Sequence, residues 1–170
     1  MRHATVDSPL GDMVLVADGD ALVGAFFAGQ RYMPPAGRMG DAVGTADEPL
    51  LARAAAELAE YFAARRTAFT VPLRPVGSAF ARGVWDALRA IPHGATTTYG
   101  AIARGLGRPG AAQGVGQAVG HNPVSVFIPC HRVVGADGSL TGYAGGLARK
   151  ERLLELEGGA GRSLALFGPA

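Results

Sequence analysis

The chain has 170 residues, 48% of them apolar and 18% charged, which suits one or two soluble domains with cores of their own. It holds no long uncharged apolar run, which argues against a membrane-spanning helix, and its start, Met1-Arg2-His3-Ala4-Thr5-Val6-Asp7, lacks the apolar stretch of a secretory signal. A lone cysteine excludes an internal disulfide, and a free thiol fits a reducing compartment, so the cytoplasm is the expected location.

The net charge of +2 is unevenly spread. Up to Val76 there are 7 Arg against 9 Asp and Glu, a balance of −2; from Gly77 there are 8 Arg and 1 Lys against 5 acids, a balance of +4. The basic half also carries the cysteine. This asymmetry mildly favours a polyanionic partner.

Residues 3–28 read as a β-meander, with Val14, Leu15 and Val16 as an apolar core segment. Turn clusters at Ser8-Pro9-Leu10-Gly11 and Asp18-Gly19-Asp20 set off a third strand from Leu22 to Phe27. Residues 29–48, with Pro34-Pro35 and several glycines, read as a loop. The spacing of Leu50, Leu51, Ala54, Leu58, Tyr61 and Phe62 predicts a helix over 49–64, with Pro49 tolerated in its first turn. Residues 69–73 read as a short strand before a Pro75-containing linker. No catalytic cluster stands out in this half, and His3 is isolated.

Ser78 is a candidate N-cap for a helix whose inner face is Phe80, Val84, Trp85 and Leu88, ending near Ile91-Pro92. Trp85 reads as a core anchor. A short helix follows over 99–106, then the turn Gly107-Arg108-Pro109-Gly110, then a second helix over 111–119. Two short helices joined by a glycine-containing turn are the pattern of a helix-turn-helix. The second helix is built of small residues, Ala111, Ala112, Gly114, Gly116, Ala118 and Gly120. Interior glycine weakens a helix by about 1 kcal/mol relative to alanine. Either another backbone packs closely against it or an external body does.

The chemistry concentrates in Ile128-Pro129-Cys130-His131-Arg132-Val133-Val134. A thiol becomes nucleophilic when a nearby base or cation lowers its pKa. Pro129 fixes its own φ and restricts Ile128, so Cys130 stands on a stiff backbone. Buried free cysteines are often mere apolar filler. Adjacent residues in a strand point to opposite faces, so His131 would reach Cys130 through water or a turn.

Pro-Cys-His-Arg-Val resembles the active-site signature of the O6-alkylguanine-DNA alkyltransferases. The resemblance extends upstream to Asn122-Pro123. Downstream it continues through Gly142-Tyr143-Ala144-Gly145-Gly146-Leu147, Lys150-Glu151 and Leu153-Leu154-Glu155-Leu156-Glu157-Gly158, and it is strongest over 78–158. It implies an α+β fold in two domains. Residues 1–76 would form a small β-meander plus helix, ribonuclease H-like; residues 77–170 would form a mostly helical, winged-helix-like domain with the helix-turn-helix. It also implies irreversible, single-turnover transfer of an alkyl group from O6-alkylguanine in double-stranded DNA, with O4-alkylthymine as a second candidate donor, to Cys130.

The same resemblance assigns site roles. Glu157 would orient His131, which acts on Cys130 through water. Tyr99 would polarise or protonate the guanine, and Asn122 would tie the recognition helix to the active-site segment. Val133, Tyr143, Ala144 and Gly145 would line the pocket. The second helix would enter the minor groove, with Ala111, Ala112, Gln113 and Gly116 at the DNA. Gln113 stands where the family carries an arginine that fills the gap left by the extruded base, and Arg108 is a candidate for the missing charge. From the residues alone, Glu157 reads as a solvated surface carboxylate and Tyr99 as a half-buried core residue. A monomer without metal or cofactor is expected. Two alternatives stay open: a relative with weakened base flipping that acts on other alkylated substrates, and a lesion-binding protein without transfer.

Overall fold

A computed structural model describes residues 1–158; residues 159–170 of the expected second domain lie outside the described part. The chain divides into two compact units. The first comprises 1–76 together with 123–127, and the second takes in 77–122 and the chain from 128 onward. No helix among the described residues is long and apolar enough to cross a membrane.

In the first unit, strands β1 (Arg2–Val6), β2 (Met13–Asp18) and β3 (Ala21–Phe27) form the expected antiparallel meander. A two-residue strand β4 (Asp41–Ala42) adds to β1 in parallel, giving the order β3-β2-β1-β4. The stretch 29–48 is therefore more than a loop, for it also holds 3-10 turns at Ala36–Arg38 and Thr45–Asp47. Met39 within it is buried against Val14, Val16 and Phe26, so this segment covers one face of the sheet. Helix α1 (Pro49–Phe62) packs on the sheet, burying Leu51, Ala54, Leu58 and Tyr61, and the Glu48 carboxylate caps it by accepting from Leu51 N at 2.9 Å.

The strand expected at 69–73 is not formed; only an isolated bridge pairs Leu22 with Leu73. The reason is a buried carboxylate. Glu57 on α1 accepts from Thr70 N at 2.8 Å and Val71 N at 3.2 Å, taking amide protons that a sheet ladder would need.

The second unit is mostly helical: α2 (Ala79–Arg89), α3 (Tyr99–Gly105), α4 (Ala112–Gly120) and α5 (Leu147–Leu156). Ser78 caps α2 and Thr98 caps α3, each side-chain oxygen accepting an N–H three residues on at 3.1 Å. Trp85 is buried on α2 and donates Nε1–H to Ala118 O of α4 at 2.8 Å. A Cβ on Gly77 would collide with the Trp85 ring, which explains glycine there. Between α3 and α4 the chain turns through Gly107 at φ +71°. A parallel pair, β5 (Thr97–Thr98) with β6 (Val133–Val134), sets the residues after the cysteine beside the start of α3.

Candidate active site

Cys130 does not sit in a strand. Pro129 has φ −81° and ψ 64°, and Cys130 N donates to Ile128 O at 2.8 Å, which makes an inverse γ-turn. A 3-10 turn over Cys130–Arg132 follows, closed by Arg132 N to Pro129 O at 3.0 Å. Its three residues per turn send the three side chains in different directions. Asn122 Nδ2 donates to the same Ile128 oxygen at 2.9 Å, joining the end of α4 to the cysteine segment. Between these two residues the chain runs through Val126 at φ +73°, a left-handed conformation costly for a β-branched residue.

His131 is fully buried, and its Nε2–H donates to Glu157 Oε1 at 2.8 Å. Glu157 stands at the C-terminal end of α5, where Gly158 at φ +66° closes the helix. Arg132 grips the same carboxylate, Nε to Oε2 at 2.9 Å and Nη2 to Oε1 at 2.8 Å, and its Nη1 donates to Ile91 O at 2.6 Å. Burial alone would raise the Glu157 carboxyl, but hydrogen bonds from His131 and Arg132, together with the Arg132 charge, hold it far below the usual carboxylate range. Burial lowers the His131 pKa, and the Arg132 charge adds to this against the opposing pull of Glu157. The resting imidazole is thus neutral, with its proton on Nε2. Its buried Nδ1 has no protein partner and is available as an acceptor.

Burial pushes the Cys130 thiol up, while a hydrogen bond from Asn122 and the charge of Lys150 pull it back. Lys150 is the only lysine in the chain and has no exposed surface. Its Nζ donates to Thr141 O at 2.7 Å, and among the described residues no carboxylate pairs with it. Burial lowers its pKa to about 8, against the opposing influence of Cys130. The Thr141 hydroxyl hydrogen-bonds the Tyr99 hydroxyl at 2.9 Å. Burial raises the Tyr99 pKa, so this hydroxyl keeps its proton and can donate.

The other expected site residues fall as follows. Val133 is buried in β6, Tyr143 and Gly145 are buried, and Ala144 is half-buried. Gly145 O accepts from Arg149 Nη1 at 3.0 Å. On α4, Gln113 is exposed, while Ala112 and Gly116 are half-buried, as is Ala111 just before it. Arg108 is exposed with its guanidinium 5.5 Å from the centre of the Phe80 ring. Phe80 lies beside Gly114, so this charge is held near the start of α4. The structure brings Cys130, His131, Asn122 and Glu157 together and sets Gly116 against the Tyr99 ring. Sequence reasoning missed Arg132, Lys150 and Thr141 as participants. A signal existed for Arg132 alone, whose charge directly precedes the apolar pair Val133-Val134, where a buried charge needs a partner; Lys150 stands between Arg149 and Glu151 and gives none.

Fold and site together define a class: a two-unit protein whose buried cysteine segment is tied through Asn122 to the second of two short helices joined by a glycine turn. Two family models match in sequence order: the ribonuclease-like domain of 6-O-methylguanine DNA methyltransferase over residues 1–75, and the DNA binding domain of the same protein over 79–159. A methylated-DNA–protein-cysteine methyltransferase of Mycolicibacterium paratuberculosis is 45% identical over 158 residues, 92% of each chain. The crystal structure of the Mycobacterium tuberculosis O6-methylguanine methyltransferase superposes with TM-score 0.83 at 43% identity, covering 92% of both chains. That of Mycobacterium tuberculosis OGT in complex with DNA gives 0.83 at 40% identity and 98% coverage of each. The chain belongs to the O6-methylguanine DNA methyltransferase family. Its activity is alkyl transfer from methylated DNA to a protein cysteine, a DNA repair reaction.

Proposed function

We propose that Cys130 is the acceptor and that the donor is an O6-alkylguanine rotated out of duplex DNA, with α4 in the minor groove. The observation that carries this is the buried His131–Glu157 pair, with Nδ1 of the imidazole left open in the residue next to the thiol. The Cys130 proton passes through water to His131 Nδ1, and Glu157 holds the resulting imidazolium. The thiolate attacks the alkyl carbon, an S–C bond forms, and the C–O bond breaks with its electron pair left on the guanine. The departing base takes a proton with help from the Tyr99 hydroxyl. No step regenerates the thiol, so each molecule acts once. Val133, Tyr143, Ala144 and Gly145 surround the extruded base, a geometry required because the target atom is out of reach inside the stack. The reading takes the working species as a monomer, and its free thiol suits the cytoplasm.

Mixing the protein with a duplex bearing one O6-methylguanine should add a single methyl mass at Cys130, one equivalent per molecule. Repeated turnover, or methylation elsewhere, would contradict the assignment.

The glycines of α4 support the minor-groove placement. A Cβ on Gly114 would come no closer than 3.5 Å to Phe80, one on Gly116 no closer than 3.7 Å to Tyr99, and one on Gly120 would meet nothing. Internal packing therefore does not require these glycines, and a narrow profile serves a body outside the chain. Gly116→Ala is expected to raise stability by up to about 1 kcal/mol while slowing repair of duplex DNA. Thermal melting and duplex repair kinetics on the same variant check both signs.

A further inference from the structure

Helix α4 carries no charged residue, and its exposed face presents Gln113, Gly114 and Gln117 while Val115, Ala118 and Val119 are buried. Nothing in the catalytic scheme uses Gln117. On a helical surface its neighbours are residues 113, 114, 120 and 121. Two of these are glycines, so its carboxamide projects with little beside it. His121, one turn on, has Nδ1 at 2.8 Å from Gln117 O, which fixes the backbone beneath that side chain.

We propose that Gln117 reads a guanine in a base pair flanking the lesion, which makes it a specificity-determining residue for sequence context. The inference rests on the placement of α4 in the minor groove. There a guanine offers its N2 amino group as a donor beside the ring N3 acceptor, whereas an A·T pair offers acceptors only. A glutamine carries one acceptor and two donors, so Oε1 can accept from N2–H while Nε2 donates to N3. At an A·T pair Oε1 would face acceptors and lose that bond. Four residues of helix span about 6 Å and base pairs rise by about 3.4 Å. If Gln113 stands at the lesion, Gln117 reaches a pair about two steps away.

The test uses the full-length protein and duplexes carrying one O6-methylguanine, with methyl transfer to Cys130 timed in a single turnover. Replacing one flanking guanine by hypoxanthine deletes only the minor-groove amino group. Replacing a flanking adenine by 2,6-diaminopurine adds it. At the pair read by Gln117, hypoxanthine should slow transfer about fivefold or more, and diaminopurine should speed it. Gln117→Ala should be indifferent to both. The two analogues change duplex stability in opposite senses, and hypoxanthine weakens its pair. If ease of strand opening governed transfer, hypoxanthine would accelerate it and diaminopurine would retard it, which would overturn the inference. Equal rates on all duplexes with wild type, or an unchanged preference in Gln117→Ala, would also overturn it while leaving Cys130 as acceptor. No transfer from any duplex would overturn the functional reading beneath it.

Discussion

Glu157→Gln is expected to slow methyl transfer by about a hundredfold or more and to cost the fold about 3–5 kcal/mol. The two effects have separate origins. The rate falls because a neutral amide cannot stabilise the imidazolium that forms when His131 takes the thiol proton. Stability falls because Arg132, buried and donating two hydrogen bonds to that carboxylate, is left without its counter-charge. Adding Arg132→Met removes the stranded cation, so the double variant should recover much of the stability and none of the rate. Urea unfolding and single-turnover kinetics on both variants separate the two. Transfer within about twofold of wild type in Glu157→Gln would remove Glu157 from the general-base chain.

The same carboxylate sets an acid limit. Its folded pKa lies below its ordinary 4.5, so its contribution to stability is present above that value and is lost as pH falls below it. The wild type should therefore lose stability below about pH 4.5 more steeply than the double variant.

Lys150→Met is expected to make the protein more stable and less reactive. A buried ammonium with only a carbonyl partner is a poor tenant of an apolar site, and methionine of similar length fills the space without charge. That same ammonium draws down the pKa of the Cys130 thiol. Without that charge the thiol lies higher still, so the thiolate fraction and the transfer rate fall, about tenfold for each pKa unit lost. The wild-type rate should fall above about pH 8, where Lys150 loses its proton. The fall should vanish in Lys150→Met. Wild-type stability should rise between about pH 8 and 9, because the folded state sheds the Lys150 proton while the unfolded chain keeps its own up to 10.5. Above 9 the gain should flatten, because the unfolded cysteine ionises there and the buried one does not. A variant as fast as wild type at every pH would show that Lys150 serves packing alone.

Much of the fold was legible before any coordinates. The three strands of the meander, α1 with Pro49 in its first turn, and the capped α2 all follow from local periodicity and cap chemistry. Errors arose where a distant side chain outbid the local pattern. Residues 69–73 have strand-like composition, yet Glu57 captures their amide protons. Residues 29–48 look polar and loose, yet Met39 and β4 bind them to the sheet. The return of 123–127 to the first unit has no local signature either. It is fixed by Ala25 N to Pro123 O and Ser125 N to Ala25 O, both 2.9 Å, bonds that span almost a hundred residues.

By itself the sequence singled out one thiol, held on a proline-stiffened backbone beside a histidine, as the candidate for chemistry, because those constraints act between neighbours in the chain. Only the tertiary structure decided which charges stand around that thiol. Glu157 reads in the sequence as one more solvated carboxylate at a helix end, and Lys150 as an ordinary surface lysine. Folding buries both, joins the first to His131 and Arg132, and ties the second to Thr141 O, from where its charge lowers the Cys130 thiol pKa. The energy of a charge depends on what replaces its water, and that is settled by partners brought in from elsewhere in the chain.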